Sequence, residues 1–189
     1  MTKKVYLAGP EVFLPNARDV LERKAAMVCH AGLIPLAPGD LSFPPVDSKG
    51  ALAAAISALD EEMMQEADAI IANLTPFRGV GADTGTAYEL GFMCALGKAV
   101  FAYTNVSHDH GQRITDHYAG AVTADADGRL RGPDGLAVED FGLIDNLMLH
   151  AGIERRGGVI VIGDAPATAI FTDLAAFEAC VAIAAKQLL

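Results

Sequence analysis

The sequence predicts an α/β fold with a central, mainly parallel sheet of five strands and helices on both faces. Two observations predict it. Short apolar runs of strand length recur along the chain, and helical patterns lie between them. Strands that alternate with helices pair in parallel, and a parallel sheet is covered on both faces. We therefore expect a three-layer sandwich that binds its ligand beyond the carboxyl ends of the strands.

The apolar runs are the predicted strands. They are rich in Val, Ile, Leu and Ala, a composition typical of strands buried on both faces. The five runs are KVYLAG (4–9), LIPLA (33–37), AIIANL (69–74), AVFAYT (99–104) and GVIVIG (158–163).

Five segments have the pattern of helices. Gly32 and Gly97 mark the ends of the first and third, and Thr172 or Asp173 is the expected N-cap of the last. The segments are 16–31, 49–67, 85–96, 141–151 and 172–189.

Residues 105–139 interrupt this alternation. The Asp-Gly pairs at 127–128 and 134–135 are turn signals and predict a loop or small β-ribbon inserted at the surface. The whole chain, residues 1–189, otherwise has a length that suits a single domain.

The composition restricts the partners. Hydrophobic residues make up 52% of the chain and charged residues 20%, as in a globular protein. A net charge of -10 disfavours nucleic acid and anionic membranes, but a small neutral or cationic ligand remains possible. The apolar stretches are too short for a signal peptide or a membrane span, so we expect a cytoplasmic protein.

Cysteine and histidine spacing predicts neither a disulfide framework nor a metal site. Cys29, Cys94 and Cys180 are an odd number without a CxxC pair, and each is expected to be a buried thiol. His108 and His110 lie in a loop without a third ligand at suitable spacing. No metal or cofactor is expected.

The Gly-rich run before Asp83 is not a phosphate-binding loop. It has neither a GK[ST] ending nor GxGxxG spacing, and the carboxylate of Asp83 would repel a phosphate.

Glu89 is a carboxylate within an apolar helical stripe. Burial of that stripe would desolvate Glu89 and raise its pKa, a cost that proteins accept mainly at functional sites. The alternative is a Glu that reaches solvent or pairs with Arg78. The stripe consists of Gly85, Tyr88, Phe92, Met93 and Leu96.

Two more acids accompany Glu89. Asp60 lies at the edge of the apolar face of its helix, where a solvated carboxylate is the alternative, and Asp83 could simply cap the next helix. Together the three suggest carboxylates converging on a partly dry pocket, where acids in different environments can act as nucleophile and proton donor. The face beside Asp60 consists of Leu52, Ile56, Leu59, Met63 and Ala67.

Three segments resemble the nucleoside 2-deoxyribosyltransferase family. They are KVYLAGPEVF, ADAIIANLTPFRGVGADTGTAYELGFMCALGKAV and DNLM, and they cover most of residues 3–104 and the region near 145. The arrangement Asp-x-Gly-x-x-x-Glu-x-Gly from Asp83 to Gly91 is the most specific part. The resemblance implies a flavodoxin-like or Rossmann-like sandwich that exchanges the base of a 2'-deoxynucleoside for a free nucleobase, as in nucleotide salvage, through a covalent deoxyribosyl-enzyme.

The resemblance also implies roles for the acids. Glu89 matches the nucleophile, and Tyr6 matches a tyrosine that orients it. Asp60 matches the acid that exchanges a proton with the nucleobase, and Asp83 matches an acid that holds the sugar.

The remaining implied contacts concern the base and the 5' end of the sugar. Phe13 matches an aromatic wall against the base, and Gly9, Asn73 and Arg78 are further expected substrate contacts. Val12 stands where some members have tryptophan, which leaves the range of bases open.

The DNLM element carries an implication about assembly. Asn146, with Met148 beside it, matches an asparagine that a neighbouring subunit supplies to the 5'-hydroxyl. The resemblance therefore implies a homo-oligomer built on dimers, with a tetramer or hexamer as alternatives.

Other functions stay open. An N-glycosidase would pass the sugar of a nucleoside or nucleoside 5'-monophosphate to water, and Arg113 or Arg129 would then bind the phosphate. A nucleotide-binding module without turnover would not need Glu89 in an apolar stripe. The third alternative is an α/β scaffold without a small-molecule site.

Overall fold

The computed structural model describes residues 2–38 and 46–189, and its centre is a sheet of five parallel strands. All five predicted strands are confirmed; the fourth has the predicted bounds, and each of the other four is shorter than its apolar run by one or two residues. The sheet strands are β1 (Lys4–Ala8), β2 (Ile34–Leu36), β3 (Ala69–Asn73), β4 (Ala99–Thr104) and β7 (Val159–Ile162).

The order of the strands places the expected binding region. The sheet runs β2-β1-β3-β4-β7, which is the order of flavodoxin-like doubly wound folds. In such a sheet the connections change direction between β1 and β3, and the crevice beyond their carboxyl ends binds ligands. Here those ends are Ala8 and Asn73.

Helices cover both faces, so the predicted three-layer sandwich is confirmed. Alternate residues of a strand face opposite sides. Val5 and Leu7 pack against α1 and α6, whereas Tyr6 and Ala8 face α2, α3 and α5. In the described part of the chain, no helix combines the length and hydrophobicity needed to cross a membrane. The helices are α1 (Ala17–His30), α2 (Lys49–Glu66), α3 (Thr84–Ala95), α4 (His110–His117), α5 (Leu147–Glu154) and α6 (Ala175–Leu188).

Two helices begin later than the sequence pattern predicted. The segment 141–151 is helical only from Leu147, because the Asn146 side chain caps α5 by accepting a hydrogen bond from the amide of Met148. Leu174, and neither Thr172 nor Asp173, is the N-cap of α6, although the carboxylate of Asp173 accepts a hydrogen bond from the amide of Ala175.

The predicted buried faces of α2 and α3 are partly wrong. In α3 the buried residues are Thr86, Leu90 and Met93, while Tyr88 is 55% exposed. Glu89 therefore lies at the edge of the packed face and not within it. In α2 only Met64 is buried, because the helix contacts the sheet near its carboxyl end and leaves its first turns in solvent.

The segment 105–139 holds one helix more than the sequence predicted. Asp109 caps α4 by accepting a hydrogen bond from the amide of Gln112, and this Asp-x-x-Gln spacing was the signal for it. An antiparallel ribbon follows, formed by β5 (Thr123–Ala124) and β6 (Leu130–Arg131). Gly128 adopts a φ of 78° in the turn between them, which glycine adopts without strain.

Candidate active site

A cavity of about 470 Å³ opens beyond the carboxyl ends of β1 and β3. The segment after β1, the N-terminal turn of α3 and one side of α2 form its walls. Three carboxylates and several apolar groups line it. The lining residues are Gly9, Val12, Phe13, Pro38, Ile56, Asp60, Asp83, Gly85, Thr86 and Glu89.

Glu89 reaches this cavity from the second turn of α3. Its Oε1 accepts a hydrogen bond of 2.7 Å from the hydroxyl of Tyr6. Burial raises the pKa of Glu89, the Tyr6 hydrogen bond opposes that rise, and the negative charges of Asp60 and Asp83 add to it. The resulting pKa is about 7, so near neutral pH the carboxyl group can hold or release its proton.

Tyr6 comes from the interior of the sheet. It lies on β1, its side chain is fully buried, and it faces α3 because every second residue of β1 does so. Burial raises the pKa of Tyr6 far above its usual value, and the charge of Glu89 adds to the effect. The phenol therefore keeps its proton and acts as a permanent donor to Glu89.

Asp60 lies across the cavity from the sheet, on α2. Burial raises the pKa of its carboxyl group. Its Oδ1 is buried and has no hydrogen-bond partner within residues 2–38 and 46–189. A buried, unpartnered oxygen beside a cavity is available to a substrate, and a raised pKa favours the protonated form that can donate.

Asp83 both caps α3 and lines the cavity. Its Oδ2 accepts hydrogen bonds from the amide and the hydroxyl of Thr86, at 3.0 and 3.3 Å. Capping and substrate contact are therefore compatible for Asp83, since a carboxylate offers a second oxygen.

Phe13 forms the apolar wall and is supported from behind. Its ring stacks on Phe77 with centroids 5.2 Å apart, and Phe77 meets Phe171 edge to face. The guanidinium of Arg78 lies over Phe13 and Phe77, 5.1 and 4.7 Å from the ring centroids. Phe13 nevertheless remains 54% exposed, so the cluster offers an aromatic surface to a ligand.

Two expected substrate residues lie outside the lining. Arg78 packs on the aromatic rings and does not pair with Glu89, so the proposed Glu89–Arg78 ion pair is wrong. Asn73 is 1% exposed, on the opposite side of the sheet from Tyr6, and donates a hydrogen bond to Glu11.

Asn146 and Met148 also lie away from the cavity lining. Besides capping α5, Asn146 donates a hydrogen bond of 2.8 Å to the carboxylate of Glu139. Met148 is 68% exposed. Two hydrogen bonds therefore hold Asn146 at the start of α5, and Met148 beside it lies at the surface of the chain.

Sequence reasoning missed the buried pair Arg113–Asp145, which ties the insertion to the site. The guanidinium of Arg113 donates to Asp145 at 3.0 Å and to the carbonyl of Ile144 at 2.7 Å. Asp145 also accepts hydrogen bonds from the amides of Ala82 and Asn146. One carboxylate therefore joins α4, the loop before Asp83 and the start of α5. The sequence signal for this buried pair was limited to the Asp of the DNLM element.

A groove of about 310 Å³ between α2 and α3 reaches the same carboxylates from another side. Asp60 and Glu89 lie at its base, and the hydroxyl of Tyr88 donates a hydrogen bond to Glu61 at its edge. Ile56 and Tyr88 are 38% and 55% exposed there. Within the described ranges, no cluster of three or more His, Cys, Asp or Glu residues is arranged to hold a metal ion.

Comparisons with known proteins show which sequences and structures the chain is similar to. The sequence model of the nucleoside 2-deoxyribosyltransferase family matches residues 5–148, which contain all three cavity carboxylates. An uncharacterized protein from Schizosaccharomyces pombe, C191.05c, is 31% identical over 169 residues, which cover 84% of this chain and 80% of that protein.

Two solved structures share the fold. The 2-desoxiribosyltransferase from Leishmania mexicana is 31% identical, with a TM-score of 0.67 and 99% of each chain covered. A conserved protein from Enterococcus faecalis V583 is 19% identical, with a TM-score of 0.59 and both chains covered completely. The second likeness concerns the fold alone.

Proposed function

The chain belongs to the nucleoside 2-deoxyribosyltransferase family, and on that premise we propose that it exchanges the bases of 2'-deoxynucleosides through a covalent deoxyribosyl-Glu89 intermediate. The observation that carries the proposal is the position of Glu89, hydrogen-bonded to Tyr6 and facing a cavity that also contains Asp60 and Asp83. These groups suit the displacement of a base from a sugar, which needs a nucleophile and a proton donor.

In the first half-reaction the ionised Glu89 attacks C1' of the deoxyribose. The bond between C1' and the base breaks, and protonated Asp60 gives its proton to the departing base. Tyr6 holds Oε1 of Glu89, which leaves Oε2 for the attack. The negative charge of the carboxylate stabilises the cationic character that C1' develops in the transition state.

The second half-reaction reverses the first with another base. Asp60, now ionised, takes a proton from the incoming nucleobase, whose nitrogen attacks C1' and releases Glu89. Two inversions at C1' return the original configuration. In this proposal Asp83 binds a sugar hydroxyl. Val12, Phe13 and Ile56 form an apolar surface that, together with the bound substrate, shields the covalent intermediate from water.

We assign the substrate a free 5'-hydroxyl in preference to a 5'-phosphate. Among the described residues, those that line the cavity include three carboxylates and no Lys or Arg. Arg113, an expected phosphate ligand of the monophosphate hydrolase alternative, is 8% exposed and bound to Asp145 and to a backbone carbonyl. A phosphate dianion would therefore be repelled by three carboxylates of the described lining, and Arg78 nearby is already packed on aromatic rings.

The proposal includes a homo-oligomer in which Asn146 of a neighbouring subunit completes the site. The groove between α2 and α3 leaves Asp60 and Glu89 accessible from one side, with Ile56 and Tyr88 exposed at its edge. A second copy that covers this groove would bury these apolar side chains and exclude water from the nucleophile.

The test is base exchange followed by chromatography. The protein is mixed with 2'-deoxyinosine and adenine, and the products are compared with those of Glu89→Gln and of a control, Glu62→Gln, on the exposed surface of α2. We expect 2'-deoxyadenosine and hypoxanthine from wild type and control, and neither from Glu89→Gln. Deoxyribose without 2'-deoxyadenosine would indicate a hydrolase, and binding without turnover would indicate a binding module.

The covalent step has its own test. Protein incubated with 2'-deoxyinosine alone is quenched in acid, digested and examined by mass spectrometry. We expect a deoxyribosyl ester on the peptide that contains Glu89, and no ester in the Glu89→Gln variant. An unmodified peptide in an enzyme that exchanges bases would rule out the double displacement.

A further inference from the structure

We propose that the buried ion pair between Lys24 and Glu11 is a positioning device that fixes the wall of the cavity against which the nucleobase binds. The inference rests on the proposed function. The Nζ of Lys24 lies 2.6 Å from Oε1 of Glu11, and each side chain is 1% exposed. Neither residue lines the cavity.

Glu11 is the centre of a buried network of donors. Its Oε1 also accepts hydrogen bonds from the hydroxyl of Tyr103 at 2.7 Å and from the side-chain amide of Asn73 at 3.1 Å. Burial by itself would raise the pKa of Glu11, but the charge and hydrogen bond of Lys24 and the Tyr103 hydroxyl outweigh it and lower the pKa. The carboxyl group of Glu11 is therefore ionised, and three buried donors hold it.

Stability alone does not account for this pair. Taking two charges out of water costs several kcal/mol per ion, and apolar replacements of similar volume are often neutral or stabilising. An ion pair with directional hydrogen bonds holds the backbone that carries it in one defined position. An apolar contact does not, because it has no preferred direction.

The backbone from Gly9 to Phe13 forms this wall of the cavity. Glu11 belongs to the 3-10 helix Pro10–Phe13, between Gly9 and Phe13, which both line the cavity. The Glu11 side chain folds back on Gly9 so closely that a Cβ at position 9 would lie 2.0 Å from Oε2. A shift of Glu11 therefore moves both Gly9 and Phe13.

Contacts with the wall affect binding more than the chemical step. In the proposed complex Phe13 contacts the base in the bound ground state and in the transition state alike. Loss of such uniform binding raises KM while kcat stays the same. A purely structural role would differ, because a less stable protein has fewer active molecules and an unchanged KM.

The experiment compares two variants with a matched control. Lys24→Met removes the tether, and Glu11→Gln/Lys24→Met removes both charges, so that no buried charge lacks a partner. Val28→Ala, one turn further along α1, creates a cavity in the core without touching the tether. Steady-state kinetics with 2'-deoxyinosine and adenine, and the Kd of free adenine by calorimetry, are measured for each.

We expect both Lys24 variants to raise KM and the adenine Kd by about tenfold, the equivalent of one aromatic contact, with kcat changed less than about twofold. Val28→Ala should be less stable and keep its KM. An unchanged KM and Kd in the double variant would overturn the proposal. So would a double variant that fails to fold, because the pair would then serve the fold itself.

Failure of the proposed function is distinguishable from failure of this inference. If wild type exchanges no bases, the function is wrong, and the position of the wall is read from a crystal structure of the double variant. Displacement of the Phe13 ring from its 5.2 Å stack on Phe77 would support the inference. A ring that stays in place would overturn it.

Discussion

The hydroxyl of Tyr6 donates a 2.7 Å hydrogen bond to Oε1 of Glu89, and this contact joins β1 to α3. It lowers the pKa of Glu89, whereas burial and the charges of Asp60 and Asp83 raise it to about 7. The carboxyl group therefore costs stability whenever it is ionised in the folded protein.

The first prediction is that Glu89→Gln stabilises the protein at alkaline pH. The folded pKa of about 7 lies above the unfolded value of 4.5. The contribution of Glu89 to the free energy of unfolding is therefore fully present below pH 4.5. It is lost as the pH rises through about 7, and the total loss is about 3 kcal/mol. Glutamine can still accept the Tyr6 hydrogen bond and has no charge. Denaturant unfolding at pH 8 should show the variant to be more stable than wild type.

The same measurement at pH 4.5 is the control. There Glu89 is protonated in the folded protein, so the gain in unfolding free energy should nearly vanish. Glu62→Gln, on the exposed surface of α2, should gain little at either pH. Equal stability of Glu89→Gln and wild type at pH 8 would contradict the raised pKa.

The second prediction concerns the pH dependence of Tyr6→Phe. The nucleophile must be ionised, so kcat/KM of wild type should rise with pH through about 7. Loss of the phenol removes the hydrogen bond that favours the ionised form of Glu89. We therefore expect the rising limb of the variant to move to higher pH, with a larger loss of activity at pH 6 than at pH 8.

A matched tyrosine is available in the insertion. The hydroxyl of Tyr118 donates to Asp134, so Tyr118→Phe removes a similar hydrogen bond away from Glu89. This variant should keep the wild-type pH profile. A Tyr6→Phe profile that falls uniformly at every pH would assign Tyr6 to orientation of the carboxylate only.

The third prediction is that Asp60→Asn slows exchange according to the leaving group. Asp60 has a raised pKa and an unpartnered buried oxygen, as expected of a group that donates a proton to a bound base. Loss of a general acid typically costs about a hundredfold or more. We expect that loss with 2'-deoxyinosine, and a much smaller one with a nitrophenyl 2-deoxyriboside, because nitrophenolate leaves as a stable anion without a proton. Equal losses would mean that Asp60 only binds the base.

The sequence identified the strands and the cavity carboxylates because their signals are local. Buried parallel strands are continuous apolar runs, and a carboxylate at the edge of an apolar face stands out within one turn of helix. The sequence pattern gave the wrong packing face for α3, because Tyr88 and Leu96 fit the helical period but lie in solvent. Helical periodicity indicates that a helix has an apolar face, but not whether that face packs on the sheet or lies in solvent.

Pairs of charged residues that are far apart in the chain could not be predicted from the sequence. Lys24 and Glu11 are 13 residues apart, and Arg113 and Asp145 are 32 apart. In the sequence each reads as an ordinary surface charge, since charged residues are mostly exposed. Only the packing of α1 against the segment after β1, and of α4 against the segment before α5, makes them buried pairs. The supports of the site were therefore missed although its carboxylates were found.

The last prediction tests whether the site is shared between subunits. Asn146 lies outside the cavity lining of its own chain, yet it is fixed by Glu139 and by the amide of Met148. In a Glu139→Gln background, which avoids two facing carboxylates, the variant Asn146→Asp keeps the capping oxygen and loses the amide donor. We therefore expect α5 to remain folded while the 5'-hydroxyl of the substrate in the neighbouring subunit loses a contact. Alone, this variant should have a raised KM for 2'-deoxyinosine.

Mixing then separates a shared site from a local one. Glu89→Gln supplies an intact Asn146 but no nucleophile, and Asn146→Asp supplies the nucleophile. Coexpression of the two variants forms mixed oligomers. If Asn146 serves the neighbouring subunit, some sites in these oligomers combine Glu89 of one chain with Asn146 of the other. We expect the wild-type KM for that fraction of sites. Activity that stays at the level of Asn146→Asp alone would mean that Asn146 acts only within its own subunit, since neither chain then contains both groups.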